Sequence, residues 1–147
     1  MGAEGCDGGD VTKPMRVKAE TLKEVAEAAA AAEAYARDAA GADEEQALRV
    51  GLAADELAAN ALIHGARGPV DLWVEVWSDD AFVHLQVSAL GPCFDPRAFT
   101  PQERPDGDLG GYGLALIHQF VDSLDYERVD SRNVTRASVR KRAALGD

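Results

Sequence analysis

The chain is poor in cysteine, histidine and aromatic side chains. Its 147 residues include two cysteines, three histidines and 6% aromatic residues. Cys6 and Cys93 give neither a disulfide framework nor the spacing of a metal site, so a reducing compartment is the simpler expectation. The sequence also has no Walker A loop and no Ser-His-Asp order, which leaves metabolic enzymes built on those motifs with little support.

Long apolar runs and positive charge are scarce as well. No run reaches the ~20 apolar residues that a membrane span needs, and the N-terminus lacks the basic and apolar pattern of a signal peptide. We therefore expect a cytoplasmic protein with no membrane partner. The net charge of −11 argues against a nucleic-acid partner and is compatible with a basic protein partner.

What the chain does have is the composition of a folded domain. Its length and its 46% hydrophobic residues suit one domain with its own core. Residues 1–10 contain four glycines and no bulky apolar residue after Met1, which predicts a flexible tail. The expected organisation is a tail at 1–10 and a single domain at 11–147.

The first part of the predicted domain is a strand followed by an alanine-rich helix. Residues 11–19 alternate weakly and indicate the strand. Thr21 and Glu24 match a capping box at the start of the helix. Alanine favours helix through residues 22–40, and Gly41 is expected to end it. Asp43 and Gln46 have the same spacing, so a second helix is predicted from there to about Gly65.

Three polar residues of that second helix share one side of an otherwise apolar segment. Glu56, Asn60 and His64 are spaced i, i+4, i+8. A carboxylate and a carboxamide in apolar surroundings need a partner to offset desolvation, and a metal with phosphates would be one. The alternatives are that Glu56 is a solvated residue beside Asp55 and that Asn60 makes a capping or core hydrogen bond. His64 and Gly65 are interpreted mainly as the end of the helix.

The second half of the chain predicts strands, a loop and a short helix. Residues 70–77 and 82–87 alternate with a period of two and are expected to form a hairpin. The remaining predicted elements are a loop over 95–109, a helix over 112–121, and strands over 126–129 and 135–140. Strands joined by short turns pair antiparallel. The predicted fold class is α+β, a mixed or antiparallel sheet with helices on one face.

A glycine-rich stretch immediately precedes the predicted helix at 112–121. It contains Gly110, Gly111 and Gly113, followed by Leu114. Backbone N–H groups at such a helix start are suited to hold phosphates. Glycine clusters are also common in loops. The phosphate-binding interpretation of this stretch is therefore supported mainly by the polar residues of the helix before it. In the loop before it, Arg97 is a candidate for a phosphate contact, and the alternative is a solvated loop charge.

The 56–65 and 110–114 segments resemble the N box and the second glycine box of the GHKL ATPase superfamily. The resemblance covers about 11–141 and is greatest to the small anti-sigma-factor serine kinases. It implies the Bergerat fold, a two-layer α/β sandwich, with ATP or ADP and Mg²⁺ as cofactors. It implies that Glu56 is the general base and that Asn60 is the metal ligand. It also implies the following nucleotide contacts: Asn60, Gly91, Gly110, Gly111, Gly113, Leu114 and Thr135.

The first glycine box departs from the family pattern. In the register set by the 87–96 segment, Ala89 replaces the aspartate that binds the adenine amino group, and Cys93 replaces a glycine. A hydrogen bond to a charged group is worth about 1.5–3 kcal/mol. Its loss would weaken adenine binding by roughly 10- to 150-fold. Val134 likewise stands where the family has a glycine before Thr135.

Three functions remain open. The resemblance implies a regulatory protein that binds a sigma factor or a STAS-type antagonist, and phosphorylates the antagonist on serine or threonine. It also implies a homodimer. The second hypothesis is a non-catalytic partner-switching module with weak or lost nucleotide binding, which Ala89 favours. The third is a histidine-kinase catalytic domain cut from a larger protein, although the chain lacks a phosphoacceptor helix pair.

Overall fold

The protein is described by a computed structural model. The residues it describes are 13–65, 68–98, 102–103, 109–110 and 116–142. The predicted tail at 1–10 and the glycine-rich residues Gly111, Gly113 and Leu114 lie outside the described residues. No helix within the described ranges is long and apolar enough to cross a membrane.

Strands make up one layer of the fold. In chain order they are β1 (Met15–Ala19), β2 (Leu72–Ser78), β3 (Phe82–Leu90), β4 (Gln102–Glu103), β5 (Leu109–Gly110), β6 (Ser123–Val129) and β7 (Arg132–Arg140). Five of them form an antiparallel sheet in the order β1-β2-β3-β7-β6. The predicted hairpin is β2–β3, and the predicted final pair is β6–β7, which begins several residues earlier than expected on both strands.

The helices α1 (Leu22–Ala34) and α2 (Glu44–His64) form the second layer. The Thr21 hydroxyl accepts a hydrogen bond from the Glu24 N–H at 3.1 Å, as predicted for the first helix start. After Ala34 the chain continues as a π-helical turn over Tyr35–Ala39, and Gly41 then adopts φ +79°. The predicted helix over 22–40 is therefore helical throughout most of its length but changes its hydrogen-bond pattern at the end.

The second helix begins where predicted, with Asp43 as its N-cap residue, but the predicted capping box does not form. The Asp43 side chain makes no capping hydrogen bond to the helix, and its carboxylate lies 3.8 Å from the Arg142 guanidinium. The Gln46 amide donates instead to the Arg140 carbonyl at 3.1 Å. Both side chains contact residues at or just after the end of β7, so tertiary contacts replace the local capping box.

The core lies between the two helices and one face of the sheet. Alternate residues of β2 and β3 are buried against the helices, among them Leu72, Val74 and Leu85. Small residues let α1 and α2 approach closely: a Cβ on Gly51 would lie 3.0 Å from the Glu33 Cβ. The predicted α+β class, with helices on one face of an antiparallel sheet, is confirmed.

The segment predicted as a loop and a helix is more divided than expected. A 3₁₀ turn occupies Pro96–Ala98, and β4 pairs with β5 through Gln102 opposite Gly110. Another 3₁₀ turn covers Ile117–Gln119, and the buried Ile117 anchors it to the core. The described part of the helix predicted over 112–121 therefore ends before Val121.

Candidate functional site

A cleft opens where α2, the end of β3 and the start of β7 meet. Its lining comes from all three elements and from the loop after β3: Leu57, Ala61, His64, Gly65, Val87, Leu90, Gly91, Pro92, Phe94, Pro96, Asn133 and Thr135. Most of these side chains are apolar, and the cavity that they enclose is small, about 20 Å³. The cleft therefore brings together the predicted residues Gly91 and Thr135.

Two glycines close one wall of this cleft. Gly65 follows α2, and a Cβ on it would lie 3.1 Å from both the Ala61 and the Leu90 carbonyl oxygens. Gly91 adopts φ +150°, and its Cβ would lie 3.4 Å from the Gly65 Cα. Gly65 has φ −98°, so it is needed for space and not for a left-handed cap. The two residues join the end of the helix to the end of the strand.

Ala89 contributes no polar group to the cleft. It is only 2% exposed and lies on the helix-facing side of β3, opposite Asn133 in the ladder with β7. Ser88 points to the other face of the sheet, as predicted, where its Oγ accepts a hydrogen bond from Arg132 Nε at 2.7 Å. Neither position therefore supplies the carboxylate that the family pattern has here.

Asn133, which no sequence motif indicated as a site residue, holds the loop that follows β3. Its Oδ1 accepts hydrogen bonds from the Phe94 N–H at 3.0 Å and the Tyr126 hydroxyl at 2.5 Å. Its Nδ2 donates to the Pro92 carbonyl at 2.8 Å. The Phe94 ring stacks on the His64 ring, with centroids 4.2 Å apart. The loop is thus fixed on β7 on one side and packed on the end of α2 on the other.

Further contacts tie the same loop to β6. Arg128 donates to the Gly91 carbonyl at 2.8 Å, and the exposed Cys93 thiol lies 3.4 Å from the Tyr126 hydroxyl. Arg97 forks onto the Asp95 carboxylate with bonds of 2.8–3.2 Å, and this contact lowers the pKa of Asp95. The Arg97 guanidinium, which the sequence suggested as a candidate for a phosphate contact, is here engaged within the loop.

Glu56 and Asn60 lie on α2, one position before Leu57 and Ala61, and neither is among the residues that line the cleft. The Asn60 Nδ2 donates to the Glu56 carbonyl at 2.7 Å, so its side-chain oxygen is the atom that would face a cation. Burial, and then the charge of Asp55, raise the pKa of the Glu56 carboxyl. A raised pKa makes a carboxylate a stronger base. The role of Glu56 as general base stays a prediction.

The other predicted contacts are placed as follows. Thr135 is 5% exposed and lies opposite Val87 in the β3–β7 ladder. Gly110 lies on β5, paired with Gln102. How the rest of the glycine-rich stretch meets the cleft falls outside the described residues.

Comparisons with known proteins agree with this architecture. The model of the histidine kinase-like ATPase domain matches residues 18–139. Among solved structures, a mycobacterial sensor histidine kinase, MprB, matches with a TM-score of 0.51 and 16% identity, over 88% of this chain and 100% of that one. At that identity the likeness shows the shared fold alone.

A search among curated proteins gives no match. The family model spans most of the chain, from β1 to β7, and includes both the Glu56–Asn60 helix and the cleft. Family membership supports a regulatory role of the ATPase or kinase kind, since proteins of this domain family generally bind ATP with Mg²⁺. The chain belongs to the histidine kinase-like ATPase domain family, within the GHKL superfamily.

Proposed function

We propose that the protein is a regulator of the anti-sigma type, which binds a sigma factor or a STAS-type antagonist and phosphorylates the antagonist on serine or threonine. The observation that carries the proposal is the pair formed by Glu56 and Asn60 on α2, one position before the cleft residues Leu57 and Ala61. Their carboxylate and carboxamide lie one helical turn apart, and the pKa of Glu56 is raised by burial. That combination suits a base next to a cation ligand.

A magnesium ion bound together with nucleotide phosphates is compatible with these two residues. Among the described residues no three His, Cys, Asp or Glu side chains are grouped to hold a metal. Mg²⁺ does not need such a cage, because it is usually bound by one or two protein groups together with substrate phosphates and water. Asn60 would be the protein ligand. Bound Mg²⁺–ATP would supply the phosphoryl group and neutralise its charge.

Glu56 has two tasks in this proposal. Its carboxylate accepts the proton of the antagonist hydroxyl, and it keeps that hydroxyl directed towards the phosphates. Phosphoryl transfer depends mainly on positioning and electrostatic stabilisation. The base therefore needs the right place more than unusual reactivity, and the rigid α2 helix provides that place.

The base half of the nucleotide fits less well. Position 89 carries a buried alanine instead of a carboxylate, and the Asn133 amide is engaged by the loop after β3. The cleft retains apolar walls and the Thr135 hydroxyl. We infer that selection for adenine is weak and that affinity for ATP is low.

The partner proposal rests on charge and on the family resemblance. The net charge of −11 suits a basic protein segment better than nucleic acid. A sigma factor or a STAS-domain antagonist is the partner class proposed, with a homodimer as the assembly and the cytoplasm as the location.

The second candidate is a partner-switching module that does not phosphorylate. Two observations favour it: Ala89 is buried at the base-recognition position, and the stacked rings of His64 and Phe94 lie at the lining of the cleft. In this case the fold would present a surface that binds protein partners. The exchange of one partner for another would not depend on nucleotide.

Calorimetric titration of Mg²⁺–ATP and Mg²⁺–ADP into the full chain separates the two candidates. Binding by the parent protein, retained in Glu56→Gln, supports the kinase. A second assay measures transfer of labelled γ-phosphate to a panel of purified STAS-domain proteins. Transfer to one of them that is lost in Glu56→Gln would support phosphorylation with Glu56 as the general base. Absence of nucleotide binding in a folded parent protein would favour the module.

A further inference from the structure

A second cluster of reactive side chains lies on the sheet face that points away from the helices. The His84 ring bridges two groups that are far apart in sequence: Nε2 is 2.7 Å from Asp79 Oδ2, and Nδ1 is 2.8 Å from Ser138 Oγ. His84 and Ser138 are direct neighbours across the β3–β7 ladder. A hydroxyl, an imidazole and a carboxylate are thereby connected by two successive hydrogen bonds. No Ser-His-Asp order was apparent in the sequence, because the chain order here is Asp, His, Ser.

The carboxylate fixes the orientation of the imidazole. Asp79 Oδ1 accepts hydrogen bonds from the Ala81 and Phe82 N–H groups at 2.9 and 2.8 Å, which leaves Oδ2 for His84. The pKa of Asp79 is lowered to about 2, chiefly by the His84 hydrogen bond, so the group is ionised at neutral pH. An ionised carboxylate only accepts hydrogen bonds. Nε2 therefore donates to Asp79, and in the neutral imidazole the Nδ1 lone pair accepts the Ser138 O–H.

Packing keeps the ring in this position. The Trp77 ring stacks on the His84 ring with centroids 5.5 Å apart, and the Phe82 ring lies 6.2 Å away. The His84 side chain is 24% exposed, so one edge remains open towards solvent. A nucleophile, a base and a group that orients the base are the components of an activated serine. The imidazole is turned over relative to the Ser-His-Asp triad, because Nδ1 meets the hydroxyl and Nε2 meets the carboxylate.

A cavity lies next to the serine. Its lining consists of Phe82, His84, Asp122, Ser123, Ser138 and Arg140. Arg140 is two residues from Ser138 on the same strand face, and its guanidinium lies 5.2 Å over the Phe82 ring. Arg140 thereby adds a positive charge to the cavity that Ser138 lines. The Asp122 carboxylate, the other charge at the cavity, accepts the Arg140 backbone N–H at 2.7 Å.

We propose that Ser138, with His84 and Asp79, forms a second active site that hydrolyses small carboxylic esters. Ser138 Oγ attacks the ester carbonyl carbon and gives its proton to His84 Nδ1. The ester C–O bond then breaks, and the alcohol leaves with that proton. Water next attacks the acyl-serine with His84 as base, which releases the carboxylic acid and restores the Ser138 hydroxyl.

This site is independent of the nucleotide cleft. The cleft lies on the helix-facing side of the sheet, whereas Ser138 and His84 lie on the opposite face with the cavity beside them. The proposal therefore does not rest on ATP binding, and none of its residues takes part in the proposed kinase mechanism.

The test uses a fluorophosphonate, which reacts covalently with activated serines, and p-nitrophenyl acetate as the ester. The full chain is treated with each, and the modified residue is located by peptide mass spectrometry. Ser123 is the matched control, because it lies opposite Ser138 on β6 and lines the same cavity. Circular dichroism of each variant establishes that it is folded.

We expect the adduct on Ser138, its loss in Ser138→Ala and its retention in Ser123→Ala. His84→Gln should slow the labelling by about 10²- to 10⁴-fold, the usual contribution of a positioned base. Asp79→Asn should also slow it, since an amide can donate to Nε2 and favour the wrong tautomer. The proposal is overturned if the folded parent protein is not labelled at Ser138, or if His84→Gln is labelled at the parent rate.

Discussion

Ala89 and Asn133 lie directly opposite each other where β3 and β7 pair beside the cleft. The alanine is buried and offers no hydrogen-bonding group, while both ends of the asparagine amide are engaged by the loop at Pro92 and Phe94. The hydrogen-bonding groups of Asn133 thus hold the loop after β3 in place. The cleft beside this pair therefore receives no carboxylate from position 89 and is bordered by a loop that Asn133 fixes.

Replacing Ala89 by aspartate should strengthen ATP binding. The added carboxylate would restore a charged hydrogen bond to the adenine amino group, worth about 10- to 150-fold in affinity. Calorimetric titration with Mg²⁺–ATP measures the change. Ala89→Asn is the matched control, since it adds the same volume without the charge and should gain less. Equal affinities for the aspartate variant and the parent would show that the obstacle lies elsewhere in the cleft.

Removing the Asn133 side chain should loosen the loop after β3. Asn133→Ala leaves the Phe94 N–H, the Pro92 carbonyl and the Tyr126 hydroxyl without this partner. We expect a loss of about 1–3 kcal/mol in the free energy of unfolding, measured by urea denaturation, and faster amide exchange at Phe94. Asn133→Asp keeps the acceptor and loses only the donor to Pro92, so its loss should be smaller. Unchanged exchange at Phe94 would contradict this account.

Gly65 should not tolerate a side chain. The Cβ of Gly65→Ala would lie 3.1 Å from two backbone carbonyl oxygens, which cannot move as freely as a side-chain end. Overpacking of this kind costs about 1–3 kcal/mol of unfolding free energy. Gly68→Ala is the control, because its Cβ would meet nothing within 4 Å. Thermal or urea unfolding of the two variants should differ accordingly, and equal stabilities would refute the close approach.

The fold was predictable where the sequence pattern is local. Apolar and polar residues alternate along β2 and β3, which indicates that each strand buries one face. The hairpin and its inward-facing residues therefore follow from the sequence. Thr21 and Glu24 set the start of α1 as expected. The place of Ala89 also followed from the register, because Ser88 lies on the opposite face of the strand.

What could not be predicted depends on pairings between distant segments. The Asn133 contacts join β7 to a loop about forty residues earlier, a distance of 39 positions for Phe94. His84 and Ser138 meet only because β3 and β7 are neighbours in the sheet, 54 positions apart. Asp43 and Gln46 follow the same rule, since contacts with the end of β7 replace the predicted capping box. The only sequence signal for Asn133 was its place two residues before Thr135.

The Asp79–His84 contact should make stability depend on acid in a defined range. The pKa of Asp79 is lowered from 3.8 to about 2, first by the His84 hydrogen bond and then by the Phe82 N–H. A carboxyl group with a lowered pKa stabilises the folded state fully above its unfolded pKa. Its contribution is then lost as the pH falls from about 4 through about 2.

Urea unfolding of the parent protein and of Asp79→Asn over this pH range measures the contribution. The difference in unfolding free energy between the two should be largest above about pH 4 and should shrink as the pH approaches about 2. Asp80→Asn removes a charge from the neighbouring position without removing the His84 partner, so it controls for the change in net charge. If both variants showed the same pH dependence, the effect would belong to overall charge and not to the Asp79–His84 hydrogen bond.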